Sequence, residues 1–370
     1  MNDARSDGDT VARRREEPKA RVLAYYLPQF HPIPENDEWW GAGFTEWTNT
    51  AKARPRFPRH YQPHIPAELG FYDLRVAETR SQQADLAHDY GIEGFLYWHY
   101  WFAGRRILQR PFDEVLRTGE PDFPFALAWA NQTWTGIWHG APNRVLIEQT
   151  YPGPEDDSAH FQSVLSAFVD PRYINVDGRP LFYVFRPEQL PNPAAFVERW
   201  QTMAARAGLP GLYLVAEVSD LLGRGATYAT PSADGFDAAV HIRIPAETTR
   251  GWTYAMRAAR RIGLPEMYPY ARRAVERPPL GVGRPLLPCV YPNWDNTPRS
   301  GSRGLAIWGS SPERFRTQLH DAVERVRPLP ECERLVFIKS WNEWAEGNHL
   351  EPDQRWGRGY LEAVRAEVLR

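Results

Sequence analysis

The chain has 370 residues, 42% apolar and 24% charged, with a net charge of −2. That length suits one large α/β barrel or two smaller domains. The near-neutral charge argues against nucleic acid or an anionic membrane surface as partner, and no apolar run approaches membrane-spanning length.

Residues 1–20 are charged, carry Arg13-Arg14-Arg15 and lack an apolar segment, so they read as a disordered tail rather than a secretory signal. A cytoplasmic protein is therefore expected, with one folded domain over 21–370. The only cysteines, Cys289 and Cys332, are expected to be reduced thiols. The composition is aromatic-rich, with 15 Trp, 17 Tyr and 17 Phe, and its 34 prolines imply many ordered loops.

The first strand is expected over Val22–Tyr26, stopped by Leu27-Pro28. A loop of about forty residues follows, longer than ordinary connections and so a candidate for function. It contains Gln29-Phe30-His31, Trp39-Trp40, Phe44-Thr45-Glu46-Trp47 and His60-Tyr61-Gln62-Pro63-His64. A helix fits Leu74–Tyr90 and strand two Gly94–His99. Then come a short helix over Pro111–Thr118, strand three over Phe125–Trp129 and a helix over Glu155–Phe168. Strand four is expected over Pro180–Phe185, a helix over Pro193–Ala207 and strand five over Leu212–Glu217. Ala238–Val240 is a weak strand six. After it come a basic helix at Tyr254–Ile262, strand seven at Leu286–Val290 and a helix at Pro312–Val326. Strand eight at Leu335–Ile338 and a helix at Tyr360–Leu369 complete the chain. Eight short apolar runs alternating with helices predict a single (β/α)8 barrel. A doubly wound sheet shares the alternation. Polar and aromatic residues at the C-terminal ends of many strands favour the barrel, whose active face lies there.

After strand eight the chain reads Ser340-Trp341-Asn342-Glu343-Trp344-Ala345-Glu346-Gly347. Paired carboxylates can separate their pKa values, one holding a proton while the other stays ionised. Aromatic faces stack on sugar rings. Together they suggest glycosidic chemistry, with Glu343 and Glu346 as acid and base. The aromatic and histidine residues at strand ends, Tyr26, Tyr97, His99, Tyr100, Trp101, Trp129, Trp134, Tyr291 and Trp294, are expected to wall a groove. His99 is either a substrate partner or a structural bridge. Glu217 is either a third site carboxylate or the partner of an arginine. No metal site or cofactor is expected. His60 and His64 have i,i+4 spacing, but Pro63 between them breaks a shared helical face. Nucleotide-binding signatures are missing, and the only Asp-x-Asp pair, of the kind that could hold a metal–nucleotide-sugar, is Asp7-Gly8-Asp9 in the tail.

The motifs Ala24-Tyr25-Tyr26-Leu27-Pro28-Gln29-Phe30-His31, Gly43-Phe44-Thr45-Glu46-Trp47, Tyr97-Trp98-His99-Tyr100-Trp101-Phe102, Trp129-Ala130-Asn131 and Lys339–Gly347 resemble WbsX-like proteins. These are related to glycoside hydrolase family 99 and occur in lipopolysaccharide and surface-polysaccharide gene clusters. The resemblance implies a (β/α)8 barrel acting on an oligosaccharide or polysaccharide. The hydrolase relatives are endo-acting α-mannosidases and mannanases that retain configuration through a 1,2-anhydro sugar. By that likeness Glu343 deprotonates the sugar 2-hydroxyl and Glu346 protonates the leaving oxygen. His31, Trp47, Asn131, Trp341, Asn342 and Trp344, within these motifs, are further candidate substrate contacts. Two departures are Ala345, where the relatives usually have histidine, and Gln132-Thr133 after Asn131. Alternatives are a glycosyltransferase of O-antigen or capsule assembly and a non-catalytic glycan binder.

Overall fold

A computed structural model describes residues 18–136, 141–222, 226–247, 250–271 and 284–369. Most of the expected tail, including Asp7 and Asp9, lies outside the described residues.

Eight parallel strands form a closed barrel: β1 Arg21–Tyr26, β2 Gly94–Phe102, β3 Phe125–Trp129, β4 Arg179–Val184, β5 Tyr213–Ser219, β6 Ala238–Ile242, β7 Leu286–Val290 and β8 Leu335–Ile338. Each strand pairs with the next, and β1 pairs with both β2 and β8, which closes the ring. Closure leaves no exposed edge. Nearly every strand residue is buried, because one face fills the barrel and the other meets the helices. At Gly94 an added Cβ would meet the Pro124 carbonyl oxygen at 2.4 Å, so the strand can lie this close only with glycine there.

The principal outer helices are Ala77–Asp89, Arg110–Thr118, Pro154–Phe168, Pro193–Arg206, Arg250–Arg261, Pro312–Val326 and Gly359–Val368. Two of them start on a proline behind a capping side chain. Asn192 accepts from the Ala195 amide at 3.0 Å, and Ser311 caps the helix at Pro312. The expected helix and strand bounds fall within a few residues of these, and the doubly wound alternative is excluded by the closing β1–β2 ladder.

The long connection after β1 departs from its expected irregularity. It carries two short helices, Pro34–Trp40 and Glu46–Ala51. Thr45 caps the second and forms a reciprocal box with Thr48. That helix sets Glu46 and Asn49 on one face, three residues apart. Cys289 is buried and Cys332 half-buried, and both are free thiols.

Candidate active site

The eighth strand delivers the chain to a turn that backbone geometry alone would not hold. Ser340 Oγ accepts from the amides of Asn342 (3.0 Å) and Glu343 (2.7 Å). The Asn342 amide clamps Leu27 at the end of β1, accepting from its N–H at 2.7 Å and donating to its carbonyl at 3.1 Å. Asn342-Glu343 then pairs antiparallel with Asn348-His349. Gly347, at φ +57°, closes this small hairpin in the left-handed region that suits glycine. Beneath it, the buried Glu351 carboxylate accepts from Trp344 Nε1 (2.6 Å), Gln83 Nε2 (2.6 Å) and the Tyr72 hydroxyl (2.8 Å). Burial raises Glu351 to about 7, against the opposing effect of these bonds.

Glu343 and Glu346 both line a cavity of about 460 Å³ at the C-terminal end of the barrel. Each is less than a tenth exposed. Arg299, on the short helix Thr297–Ser300 after β7, reaches across to them. Its Nη1 lies 2.5 Å from Glu346 and its Nη2 3.0 Å from Glu46. Burial alone would lower the guanidinium, but Glu46, Glu346 and Glu343 outweigh it and raise its pKa, so it stays charged. Burial pushes Glu343 well above the usual carboxylate range, and the neighbouring Glu346 adds to the shift. Arg299 and Lys339 oppose it without cancelling it. In the free site a proton therefore favours Glu343, while Glu346 is the carboxylate bonded to Arg299.

A second charged group lies deeper in the mouth. Glu217, at the end of β5, accepts from the Tyr183 hydroxyl at 2.7 Å and faces Lys339 Nζ at 3.6 Å. Burial raises Glu217, and Lys339 and Tyr183 work against that rise. Lys339 also sits over the rings of Tyr25 and Trp98, 4.9 and 5.5 Å from their centroids. Of the two expected roles, Glu217 is a cavity carboxylate whose ion-pair contact is a lysine rather than an arginine.

The predicted residues divide sharply by placement. Trp134, Glu217, Tyr291, Trp294, Glu343 and Glu346 line the cavity, as does Tyr100. The others point elsewhere. Tyr26 donates to Gln83, and Tyr97 packs on Tyr26 with centroids 4.5 Å apart. His99 bonds His160 at 2.9 Å, behind the barrel wall, and burial lowers it to about 3; of its two expected roles the structure places it in the bridge. Trp101 and Trp129 stack or pack on the same His160. His31 bonds the Pro28 carbonyl oxygen, and Trp47 donates to the Tyr72 carbonyl. Asn131 clamps Arg186, accepting from its amide at 2.7 Å and donating to its carbonyl at 2.8 Å. Trp341 and Trp344 are fully buried, and Asn342 is spent on Leu27. These side chains position the site from outside the cavity.

Strand parity explains much of this division. Successive residues face opposite sides, so in β2 Trp98 and Tyr100 enter the cavity while Tyr97, His99 and Trp101 face the helices. In β1, likewise, Tyr25 stacks inward on Trp98 and Tyr26 faces the helix Ala77–Asp89. Sequence reasoning missed Trp98, Glu46, Asn49, Arg299 and Lys339 as lining residues. Parity would have found Trp98, and the Thr45 cap would have found the helix bearing Glu46. Arg299 carried no local signal.

His60 and His64 have separate partners: His60 Nε2 contacts Asp295 at 2.6 Å and His64 Nδ1 contacts His349 Nε2 at 2.8 Å. Among the described residues one group of three side chains could hold an ion: His64, His349 and Asp353, outside the main cavity.

The fold is shared with proteins of known structure. A protein described as glycoside hydrolase-like superposes with a TM-score of 0.60 at 15% identity, covering 96% of this chain and 95% of that one. The GH99 endo-alpha-mannosidase from Bacteroides thetaiotaomicron, bound to bis-tris propane, superposes with a TM-score of 0.53 at 13% identity, covering 94% and 95%. Identities this low establish the barrel fold alone. In sequence, the protein WxcX of Xanthomonas campestris pv. campestris strain B100 is 39% identical over 354 residues, or 95% of this chain and 50% of its own length. The chain thus spans about half the length of the curated relatives it matches. The family model described as "Glycosyltransferase WbsX" matches residues 22–364, and with that extent of match the chain belongs to the WbsX family.

Proposed function

We propose that this barrel is a carbohydrate-active enzyme that cleaves a glycosidic bond with retention, endo-acting on a surface polysaccharide or lipid-linked glycan, with Glu343 and Glu346 as its acid–base pair. The observation that carries the reading is the pair itself: two buried carboxylates on one turn, set in a cavity with Tyr100, Trp98 and Trp134, with Arg299 bonded to Glu346. A sugar entering the cavity meets aromatic faces for its C–H surfaces and carboxylates for its hydroxyls.

The pair shares its proton as a unit. By family likeness, Glu343 takes the 2-hydroxyl proton as that oxygen attacks C1, and Glu346 donates to the departing oxygen. Water then opens the 1,2-anhydro sugar, with Glu346 as base. Because the free site favours the proton on Glu343, this assignment requires the proton to pass to Glu346 as the substrate enters. A substrate hydroxyl placed against Glu343, which stabilises its carboxylate, would supply that shift. The opposite assignment, Glu343 as acid, needs no such transfer. An aryl glycoside with a good leaving group separates the two, since only the variant lacking the general acid keeps its rate on such a substrate.

The family model's description favours a second reading, a glycosyltransferase of surface-glycan assembly. Against it stands the charge of the cavity. Among the described residues Arg299 already pairs with Glu46 and Glu346, and Lys339 faces Glu217, a poor welcome for a nucleoside diphosphate. The deciding experiment incubates the protein with its organism's own surface glycan and, separately, with nucleotide sugars. Shortened oligosaccharides support the hydrolase. Nucleotide release without glycan cleavage overturns it. A cytoplasmic location is proposed with the same reading and is tested by fractionation of the native host.

A further inference from the structure

We propose a divalent transition-metal site, of the zinc type, formed by His64, His349 and Asp353 directly behind the catalytic hairpin. His64 comes from the long connection after β1, His349 from the returning arm of the hairpin and Asp353 from the turn that follows. Their ligand atoms all lie within 4.8 Å of one another, and all three residues are buried. His64 Nδ1 is 2.8 Å from His349 Nε2, which lies 3.9 Å from Asp353 Oδ2. Two imidazole nitrogens and a carboxylate oxygen are the donor set zinc takes, and separations of this size close around one ion with small side-chain movement.

Each donor is oriented by its surroundings, as metal ligands usually are. His349 Nδ1 faces the Glu351 carbonyl at 2.9 Å. A carbonyl only accepts, so this nitrogen carries the proton and Nε2 presents its lone pair toward His64. The Asp353 carboxylate uses Oδ1 to accept from the Arg355 and Trp356 amides, at 3.0 and 2.6 Å, which leaves Oδ2 toward His349. Both rings are pinned by stacking, His349 on Trp344 (3.8 Å between centroids) and His64 on Tyr61 (4.2 Å).

The three residues also border a second cavity, of about 480 Å³, separate from the catalytic one. Three protein ligands with an open side is an arrangement that leaves a fourth position for water. The position of the site sets its purpose. His349 lies opposite Asn342 in the two-residue ladder whose next pair is Glu343–Asn348. The His64 ring lies under Gly347, where a Cβ would meet its Cε1 at 3.3 Å. An ion there ties two further chain segments, those bearing His64 and Asp353, to the hairpin that carries both glutamates, and so braces the catalytic turn.

The test uses the full-length, tag-free protein, dialysed against a chelator and titrated with Zn²⁺ alone by calorimetry and with Co²⁺ by visible absorption. Expected are one equivalent per chain and the intense d–d bands of four-coordinate Co²⁺ with nitrogen and oxygen ligands. His64→Ala and Asp353→Asn should each weaken Zn²⁺ binding at least about tenfold, while His60→Ala, a histidine outside the trio, binds as the parent does. Absence of Zn²⁺ binding and Co²⁺ bands in the parent protein overturns the site, whatever the variants do. Unchanged affinity in a folded His64→Ala, checked by circular dichroism, overturns it too.

Discussion

At the scale of single residues the turn after β8 is an electrostatic arrangement. Arg299 lies between Glu46 and Glu346, and burial together with Glu346 lifts Glu343. Glu343→Gln and Glu346→Gln should each lower turnover at least about a hundredfold, the scale of a general acid or base. Near-parent rates in both, measured on a cleavable glycan, would remove the pair from the chemistry. Arg299→Gln should act in two ways. It leaves buried carboxylates without their cation, a loss of roughly 3–5 kcal/mol, visible as a lower urea midpoint. It also removes a charge that holds Glu343 and Glu46 down, so both rise further and the activity–pH profile moves to higher pH. A profile that stays in place or moves down would show that Arg299 does not set these carboxylates.

Among the elements, β2 offers the clearest test of what faces the substrate. Tyr100 and Trp98 line the cavity, and Tyr97, His99 and Trp101 face the helices. Trp98→Ala should therefore raise KM or lower kcat/KM by about tenfold or more, one lost aromatic contact being worth roughly 1–3 kcal/mol. His99→Ala should instead leave His160 without its buried partner, destabilise the fold by about 1–3 kcal/mol and keep the kinetic constants of the folded fraction. Equal kinetic losses in both variants would contradict the parity of the strand. Much of this was legible beforehand, because the motif Tyr97–Phe102 marked the element. A period of two divides its residues between two faces, but which face is the cavity depends on how the barrel closes.

For the whole molecule, buried carboxylates make stability depend on pH. Glu351 has its folded pKa raised to about 7 by burial, above the ordinary value of 4.5. The folded state therefore holds this proton more tightly than the unfolded chain. Its contribution is fully present below pH about 4.5 and is lost as pH rises through about 7. Burial raises Glu46, Glu217 and Glu343 in the same sense. Thermal midpoints should accordingly fall between pH 5 and pH 8, and Glu351→Gln, which stays neutral, should flatten that fall. A midpoint that rises over the same range in the parent protein would contradict the assignment.

What the sequence determined by itself was the order of the elements and the place of the two candidate carboxylates. Eight buried runs of apolar and β-branched residues, proline and capping signals at helix starts, and Glu343 and Glu346 after the last strand all follow from local pattern, which the chain carries at short range. The tertiary structure alone decided which aromatic residues look inward and which long-range partners set the charges. Trp341 and Trp344 resemble stacking platforms in sequence, yet both are fully buried. Arg299 reaches Glu46 across 253 positions and Glu346 across 47, and His64 meets His349 across 285. Such encounters depend on barrel closure and loop packing. Their physical cause is the burial that forces charged and polar groups from distant segments to satisfy one another.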